Sequence, residues 1–372
     1  MTAPQAPLLA LLLGLLLTPS QGALVWAAGS NAGSRAFSSQ PDRLPTVRLV
    51  ATGGTISNRP SGRLTAKQLT DSVPNLDQHV VIESEQFDNI ASGALTLNQW
   101  VELSRRINQL FTERADLDGI VVTSGTDTLE EVAYFLHLTV QSDRPVVVVG
   151  AMRPPQALGY DGAANLLQAF RVAADPAARD RGVLVVLNNE IHSARDVVKT
   201  DAKLLNTFSS RGYGVLGTVD SDQVVLYRRV DRRHTHESEF DIDSLSTLPR
   251  VDVLLAYQDA PGDLVHAAVE AGAKGLVLAG LGSGGASPSQ RSAIRTVIEN
   301  GTPVVVTTRT GGGRVSPRTR RPDQTDASPN ASLGLAGLTG EDLSPVKARI
   351  LLMLGLTTAA DRKDLQRMFS EY

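Results

Sequence analysis

The chain has 372 residues, of which 42% are hydrophobic and 20% are charged, and its formal net charge at pH 7 is -3. This composition is that of an ordinary globular protein of about two domains, and the small net charge gives no reason to expect nucleic acid or an anionic membrane as a partner. The absence of cysteine excludes disulfides, thiolate nucleophiles and thiolate zinc sites. The six histidines have no recognisable metal-ligand spacing, so they give no indication of a metal site.

The N-terminus is predicted to be a secretory signal peptide over residues 1–28. Residues 8–17 form an apolar run that is too short to span a bilayer comfortably, and a region of small residues suited to cleavage follows it. No Lys or Arg precedes Arg35, so an uncleaved anchor is the competing interpretation. Residues 29–45 are rich in Ser, Gly, Ala and Pro and are predicted to be a disordered linker.

Apolar, β-branched runs alternate with helical patterns along the rest of the chain. Strands are predicted at residues 47–52, 119–123, 146–150, 183–187, 251–257, 275–281 and 304–308. Helices are predicted at residues 97–114, 128–140, 161–174, 263–271, 289–299 and 345–356. Continuous apolar runs are typical of parallel strands covered on both faces. The pattern therefore predicts an α/β fold: a larger N-terminal domain with a mainly parallel sheet flanked by helices, and a smaller C-terminal α/β domain.

The helix at 97–114 has the clearest pattern, because Thr96 and Gln99 fit a capping box. A mostly apolar stripe at helical spacing is predicted to face the core. It consists of Trp100, Val101, Ser104, Ile107, Leu110 and Phe111.

Residues 231–249 are predicted to link an N-terminal domain at 46–230 to a C-terminal domain at 250–372. Their first half is highly charged and lacks an apolar face, and the strand–helix pattern restarts only at Val251. His234 and His236 lie in this charged stretch and are predicted to be solvated.

Polar residues stand at or near the ends of predicted strands in the first domain. Thr55 follows the first strand beside two glycines, and the segment SGTDT at 124–128 follows the second. Ser92 lies in a loop before the first predicted helix, and Lys199 lies beyond the fourth predicted strand. Because ligands of open α/β sheets bind outside the carboxyl ends of the strands, we expect these groups to share one edge.

These groups include the parts of an activated hydroxyl nucleophile. A threonine hydroxyl needs a base, and a lysine that loses its charge through burial can supply one when a carboxylate holds it. Thr126, Lys199 and Asp127 are candidates for such a relay. Backbone N–H groups around Gly54 and Thr126 are candidates for an oxyanion hole.

Each feature also has a purely structural interpretation. Thr55 fits an incidental residue of a strand-to-loop turn. The SGTDT segment fits a helix start in which Thr128 is the cap and Glu131 completes the capping box. Lys199 taken alone fits a surface lysine, and spacing by itself leaves both interpretations open.

The motifs resemble those of the bacterial-type L-asparaginases and, more broadly, the asparaginase/glutaminase amidohydrolases, over roughly residues 47–372. ATGGTI at 51–56 is similar to the family's first active-site signature, and TSGTDTLEE at 123–131 is similar to its second. Supporting blocks are VGAMRP at 149–154, DG at 161–162 and RDVVKT at 195–200.

By that resemblance, Thr55 is the nucleophile that forms a β-aspartyl ester and releases ammonia, and Thr126 is a second catalytic threonine assisted by Lys199. Asp127 would bind the α-ammonium group of the substrate, and Ser92 its α-carboxylate. The substrate-binding residues implied by the resemblance are Ser92, Gly93, Thr126, Asp127 and Gly54. The resemblance also implies no cofactor and a homotetramer with active sites at a subunit interface.

The sequence departs from the family pattern just after the first signature. Residues 57–64 form a short lid segment that lacks the tyrosine which supports the nucleophile in family members. Arg59 and Arg63 are the nearest candidates for a substitute. Gly93 stands where many members have Gln, and Ser124 stands where His is frequent.

The sequence therefore predicts a secreted or periplasmic L-asparaginase that hydrolyses L-asparagine to L-aspartate and ammonia through an acyl-threonine intermediate. One alternative keeps the machinery and changes the substrate to glutamine or to an amide on a larger molecule, for which the short lid and Gly93 leave room. An alternative from another class is a non-catalytic binding protein for an acidic amino acid.

Overall fold

A computed structural model describes residues 43–245, 247–317 and 337–372. The predicted signal peptide at 1–28 and residues 29–42 of the predicted linker lie outside the described residues, so both stay predictions. The description begins at Arg43, whose Nη1 lies 2.9 Å from Asp118 Oδ2 in an ion pair. None of the helices in these described ranges is long and apolar enough to cross a membrane.

Strands and helices alternate through most of the described chain. In chain order the strands are β1 (Thr46–Gly53), β2 (Asn58–Arg59), β3 (Gly62–Arg63), β4 (Val81–Ile90), β5 (Leu117–Thr123), β6 (Val146–Val149), β7 (Val183–Leu187), β8 (Glu190–Ser193), β9 (Val198–Lys199), β10 (Phe208–Ser209), β11 (Gly217–Val219), β12 (Val224–Leu226), β13 (Val251–Leu255), β14 (Gly275–Gly280), β15 (Val304–Thr308) and β16 (Leu338–Thr339). The α-helices are α1 (Ala66–Asp71), α2 (Leu97–Glu113), α3 (Leu129–Thr139), α4 (Gly162–Ala174), α5 (Asp263–Glu270), α6 (Pro288–Glu299), α7 (Pro345–Thr358) and α8 (Arg362–Glu371).

The larger sheet has the strand order β12-β11-β8-β7-β6-β5-β1-β4. Neighbours from β4 to β7 are parallel, whereas β8, β11 and β12 add an antiparallel edge. The smaller sheet has the order β13-β14-β15-β16 and is parallel throughout. The predicted fold class, a larger N-terminal α/β domain with a mainly parallel sheet and a smaller C-terminal α/β domain, is confirmed.

The predicted strands and helices are all present, with bounds that differ by at most two residues. The sequence pattern does not predict β4, because this edge strand carries charged residues instead of a continuous apolar run. Its Glu83 accepts a hydrogen bond of 2.8 Å from Arg48 on β1, and its Glu85 accepts one of 2.7 Å from Arg106 on α2. Charged side chains are a common feature of edge strands, which have one unpaired side.

Helix α2 has the predicted capping box and buried face. The Gln99 backbone N–H donates to Thr96 Oγ1 over 3.3 Å, and the Thr96 N–H donates to Gln99 Oε1 over 2.9 Å. Every residue of the predicted stripe is buried. This helix packs against β5 of the larger sheet and against helix α3.

The predicted linker at 231–249 is partly buried, although its charged sequence predicts exposure to solvent. The ring of His234 lies 5.3 Å from that of His137, and burial lowers the pKa of His234. The prediction that His234 is solvated is therefore wrong, whereas His236 is 40% exposed. Phe240 and Ile242 are also buried in the core. The bounds of the two domains and of the linker stay predictions.

A buried ion pair joins the segment after β8 to the segment before α7. Arg195 donates two hydrogen bonds to Asp342, of 2.7 Å and 3.0 Å, and the Tyr213 hydroxyl donates a third, of 2.6 Å. Burial alone would raise the pKa of the Asp342 carboxyl, but the hydrogen bonds from Arg195 and Tyr213 hold this pKa well below its usual range. The carboxylate is therefore stabilised in its charged form.

We expect Asp342→Asn to lower the free energy of unfolding at pH 7 by about 1.5–3 kcal/mol, because it removes the charged partner of two Arg195 hydrogen bonds and, among the described carboxylates, leaves Arg195 only the longer 3.4 Å contact with Asp196. Since the folded-state pKa is depressed, this contribution is complete above the unfolded pKa of about 4 and is lost as the pH falls through and below it. Urea unfolding at pH 7 and near pH 3.5 should show the difference between wild type and variant shrinking in acid. The exposed Asp222→Asn is the matched control, and equal unfolding midpoints of Asp342→Asn and wild type at pH 7 would contradict the prediction.

Candidate active site

The predicted site residues meet at the carboxyl ends of β1 and β5, which are adjacent parallel strands paired through Ala51 and Thr123. Thr55 begins a single turn of 3₁₀ helix immediately after β1. Gly53 and Gly54, just before it, have φ angles of +106° and +89°. Such angles are accessible chiefly to glycine, so the turn that presents Thr55 depends on the two glycines.

Three loops touch at this edge at distances that only glycine permits. A Cβ at Gly54 would lie 2.4 Å from the backbone nitrogen of Gly125, and a Cβ at Gly125 would lie 2.7 Å from Ser92 Oγ. Ser92 is buried in a short 3₁₀ turn after β4. These contacts bring the segments of Thr55, Ser92 and Thr126 together, as expected from a parallel sheet edge.

The Lys199 side chain connects two residues of the second signature. Its Nζ donates to Thr126 Oγ1 over 3.0 Å and to Asp127 Oδ1 over 2.8 Å. The Lys199 side chain is only 16% exposed, whereas that of Asp127 is 83% exposed. Lys199 is therefore not a solvated surface lysine, and Asp127 keeps most of its carboxylate open to a ligand.

Lys199 does not stand at the end of a parallel strand. It lies in β9, which pairs with β10 in a separate two-stranded ribbon. The Lys199 backbone N–H donates to Glu130 Oε1 over 3.2 Å. From the C-terminal domain, Lys347 on α7 donates to the carbonyl oxygens of Arg195 (2.9 Å) and Val197. Both supports hold the segment that carries the Lys199 amine.

Lys347 and Glu130 were not assigned a role from the sequence. Lys347 is fully buried, and burial lowers its pKa to about 8. The signal in the sequence that could have revealed Lys347 is a lysine inside the apolar pattern of α7, because a buried amine needs hydrogen-bond partners. Glu130 lies within the second signature, but nothing in that local pattern indicates that its carboxylate binds a segment some 70 residues away.

The structural interpretation of SGTDT is wrong in its detail. Thr128 precedes α3, but its side chain makes no capping hydrogen bond, and Thr128 Oγ1 is buried with no hydrogen-bond partner among the residues described. Glu131 lies instead 3.9 Å from Arg349 in an ion pair. The proposed capping box is absent, and the turn at Thr126 and Asp127 serves the contact with Lys199.

The segment after Thr55 is held by contacts from several directions. The Tyr160 hydroxyl donates to the Ile56 carbonyl over 2.9 Å, and the Leu64 N–H donates to the Ser57 carbonyl over 2.8 Å. The contact of Tyr160 is not predicted from the sequence, although this residue directly precedes the DG block at 161–162. Burial raises the pKa of the Tyr160 hydroxyl, so it remains a hydrogen-bond donor at neutral pH.

The backbone donors predicted for an oxyanion hole differ in their availability. The Gly54 N–H is already occupied, because it donates to the Ile90 carbonyl over 2.9 Å. The N–H groups of Thr55 and Thr126 donate to no residue that the structure describes, so they are free to bind an anion. Gly93 is exposed, and no atom lies within 4 Å of the place where its Cβ would stand.

The geometry supplies hydroxyl groups, an amine, a carboxylate and free N–H donors at one sheet edge. Within residues 43–245, 247–317 and 337–372, no group of three or more His, Asp or Glu side chains is arranged to hold a metal ion. Chemistry built from these groups is nucleophilic attack by a hydroxyl on a carbonyl or amide carbon.

The chain matches two family models, one described as "Asparaginase, N-terminal" over residues 46–232 and one as "Glutaminase/Asparaginase C-terminal domain" over residues 250–369. It is 40% identical to L-asparaginase 2 of Bacillus subtilis (strain 168), with 91% of this chain and 90% of the relative covered. It is 36% identical to a probable periplasmic L-asparaginase of Haemophilus influenzae, with 88% of this chain and 93% of the relative covered. It is 38% identical to a glutaminase-asparaginase of Pseudomonas fluorescens biotype A, with 89% of this chain and 91% of the relative covered.

Among solved structures, the fold is similar to the crystal structure of a probable cytoplasmic L-asparaginase from Campylobacter jejuni. The TM-score is 0.81 at 38% sequence identity, and the match covers 88% of this chain and all of the other.

Proposed function

The chain belongs to the asparaginase family, and from this premise and the geometry at Thr55 we propose that it hydrolyses L-asparagine to L-aspartate and ammonia. The observation that carries the proposal is the contact of Lys199 Nζ with both Thr126 and Asp127, at the same sheet edge as Thr55. It supplies a hydroxyl with an amine partner, which hydrolysis of an unactivated amide requires.

The proposed reaction has two halves. In the first, Thr55 Oγ1 attacks the side-chain amide carbon, the hydroxyl proton moves to the amide nitrogen, and the C–N bond breaks to release ammonia. In the second, water attacks the acyl ester, its proton returns to Thr55 Oγ1, and L-aspartate leaves. Thr126, whose Oγ1 lies 3.0 Å from Lys199 Nζ, passes protons to and from the Lys199 amine.

The same edge offers complementary groups for an α-amino acid. The open carboxylate of Asp127 is suited to the α-ammonium group, and the Ser92 hydroxyl is suited to the α-carboxylate. The N–H groups of Thr55 and Thr126, which donate to no described residue, are suited to stabilising the oxyanion of the tetrahedral intermediate. Gly54 and Gly93 contribute by leaving space, since neither has a side chain to block the substrate.

An assay of ammonia release from a panel of amides tests this function. We expect the highest kcat/KM with L-asparagine, a lower value with L-glutamine and little release from the amide of an asparagine held in a peptide. The physical reason is that Asp127 and Ser92 both need the free charged groups of an amino acid. Binding of aspartate without turnover of any amide would contradict the proposal and favour the non-catalytic binding protein.

Glutaminase-asparaginase activity is the second candidate. It is supported by the 38% identity to a protein of that name and by the open space at Gly93. Equal kcat/KM values for asparagine and glutamine in the same panel would favour this candidate over a selective asparaginase.

We also propose that the protein is secreted or periplasmic and assembles as a homotetramer with active sites at a subunit interface. Secretion is supported by the apolar run at residues 8–17 and by the similarity to a relative named as periplasmic. The similar structure from Campylobacter jejuni is described as cytoplasmic, so the N-terminal run is the stronger support. The tetramer is supported by the family resemblance alone.

A further inference from the structure

Arg63 contacts the backbone next to the proposed nucleophile. Its Nη1 donates to the Gly54 carbonyl oxygen over 2.8 Å. The same oxygen accepts hydrogen bonds from the Ser57 N–H over 3.2 Å and from Ser57 Oγ over 3.0 Å. Since a carbonyl oxygen has two lone pairs, three donors, one of them cationic, saturate this acceptor.

The hydrogen-bonded carbonyl belongs to the peptide unit whose N–H is that of Thr55. Hydrogen bonds to the oxygen of an amide draw electron density away from its nitrogen, so they strengthen the N–H as a donor. The Thr55 N–H donates to no residue in the described chain. It is therefore free to use that added donor strength on a ligand.

We propose that Arg63 is a positioning residue that holds the Gly54–Thr55 peptide in place and strengthens the Thr55 N–H as an oxyanion donor. A charged donor forms a stronger hydrogen bond than a neutral one, and Arg63 has no carboxylate partner among the described residues to compete for it. The inference rests on the proposed function, because it assigns Arg63 to the amide hydrolysis proposed for Thr55.

The fold of the short lid directs Arg63 toward this carbonyl. Residues 58–63 form a small hairpin in which Arg63 on β3 pairs with Asn58 on β2. Gly62 precedes Arg63 with a φ of +111°, an angle that glycine adopts readily. Arg59, on the opposite strand, is exposed, and its side chain makes no hydrogen bond to any residue described. Of the two arginines that the sequence offers as substitutes for the missing tyrosine, only Arg63 contacts the backbone beside Thr55.

Arg63→Met and Arg59→Met, measured with L-asparagine, test the proposal. We expect kcat of Arg63→Met to fall about 10- to 100-fold, less than the loss of about 10²–10³ seen when a direct oxyanion donor is removed. KM should change little, because the interaction strengthens in the transition state. Arg59→Met, on the other strand of the same hairpin, should retain the wild-type kcat.

Chemical rescue separates this role from simple support of the hairpin. In Arg63→Ala, guanidinium chloride at tens of millimolar should restore part of kcat, whereas the same concentration of sodium chloride should not. A merely structural role would raise KM, lower the melting temperature and show no rescue. Arg63→Lys provides a second variant, which keeps the charge and should lose less activity than Arg63→Met.

The proposal is overturned if Arg63→Met retains the wild-type kcat, if Arg59→Met loses as much, or if guanidinium gives no rescue of a folded Arg63→Ala. These outcomes are distinct from failure of the proposed function, in which the wild type itself does not turn over L-asparagine. In that event the same variants are measured with whichever amide of the panel the wild type hydrolyses.

Discussion

Thr55→Ala is expected to abolish ammonia release from L-asparagine, with kcat lower on the order of 10⁴-fold or more. The variant has no hydroxyl to form the acyl ester, so only binding and oxyanion stabilisation remain. Thr55 lies in a single 3₁₀ turn outside the strands, so its removal should leave the melting temperature close to that of the wild type. Steady-state ammonia release and thermal unfolding measure the two effects.

Acid quenching of the wild type during turnover, followed by peptide mass analysis, gives the positive counterpart. An added acyl mass should appear on the peptide containing Thr55 in the wild type and be absent from Thr55→Ala. Thr55→Ser is the matched variant, because it keeps a hydroxyl and should retain measurable activity. Full activity of Thr55→Ala, or an acyl mass on another peptide, would refute the assignment of the nucleophile.

Lys199→Met is expected to lower kcat by about 10²–10⁴-fold, the range typical of the loss of a general acid–base group. Methionine keeps the length and apolar stem of lysine but removes the amine that contacts Thr126 Oγ1 and Asp127 Oδ1. Thr126→Ala should cause a loss of similar size. Because the two residues act as one unit, the double variant should be no worse than the poorer single variant.

The matched control for the lysine is Lys203→Met, which removes an exposed amine four residues further along the chain. It should have the wild-type kcat. Added primary amines should restore part of the activity of Lys199→Met and have no effect on Lys203→Met. Additive losses in Lys199→Met and Thr126→Ala would indicate that the hydrogen bond between them is not used in the reaction.

The parts of the fold that the sequence predicts are those in which one local pattern determines the structure. Strand β7 is a continuous apolar run buried on both faces, and such a run has few alternatives in an α/β protein. The position of Thr55 is equally local, because strand, glycine pair and hydroxyl follow one another. In contrast, β4 carries Glu83 and Glu85, whose arginine partners lie elsewhere in the chain.

The parts of the site that escape prediction depend on contacts between distant segments. Arg63 and Arg59 have the same chemistry within one hairpin, and only the direction of each side chain separates them. A lysine in an apolar helix pattern indicates that Lys347 must have partners, but not that they are the carbonyls of Arg195 and Val197. The burial of His234 escapes prediction for the same reason, since its neighbours in sequence are charged, whereas its ring packs against His137 of the distant helix α3.

The contacts of Lys347 and Asp342 have a consequence for how this chain can be recombined with its relatives. Thr55, Thr126 and Lys199, the proposed reacting groups, all precede residue 230, within the predicted N-terminal domain. The segment of Lys199 is nevertheless fixed by side chains that the C-terminal domain contributes. A chimera that exchanges the C-terminal half therefore has to bring a lysine and an aspartate to these two positions if the Lys199 segment is to keep its support.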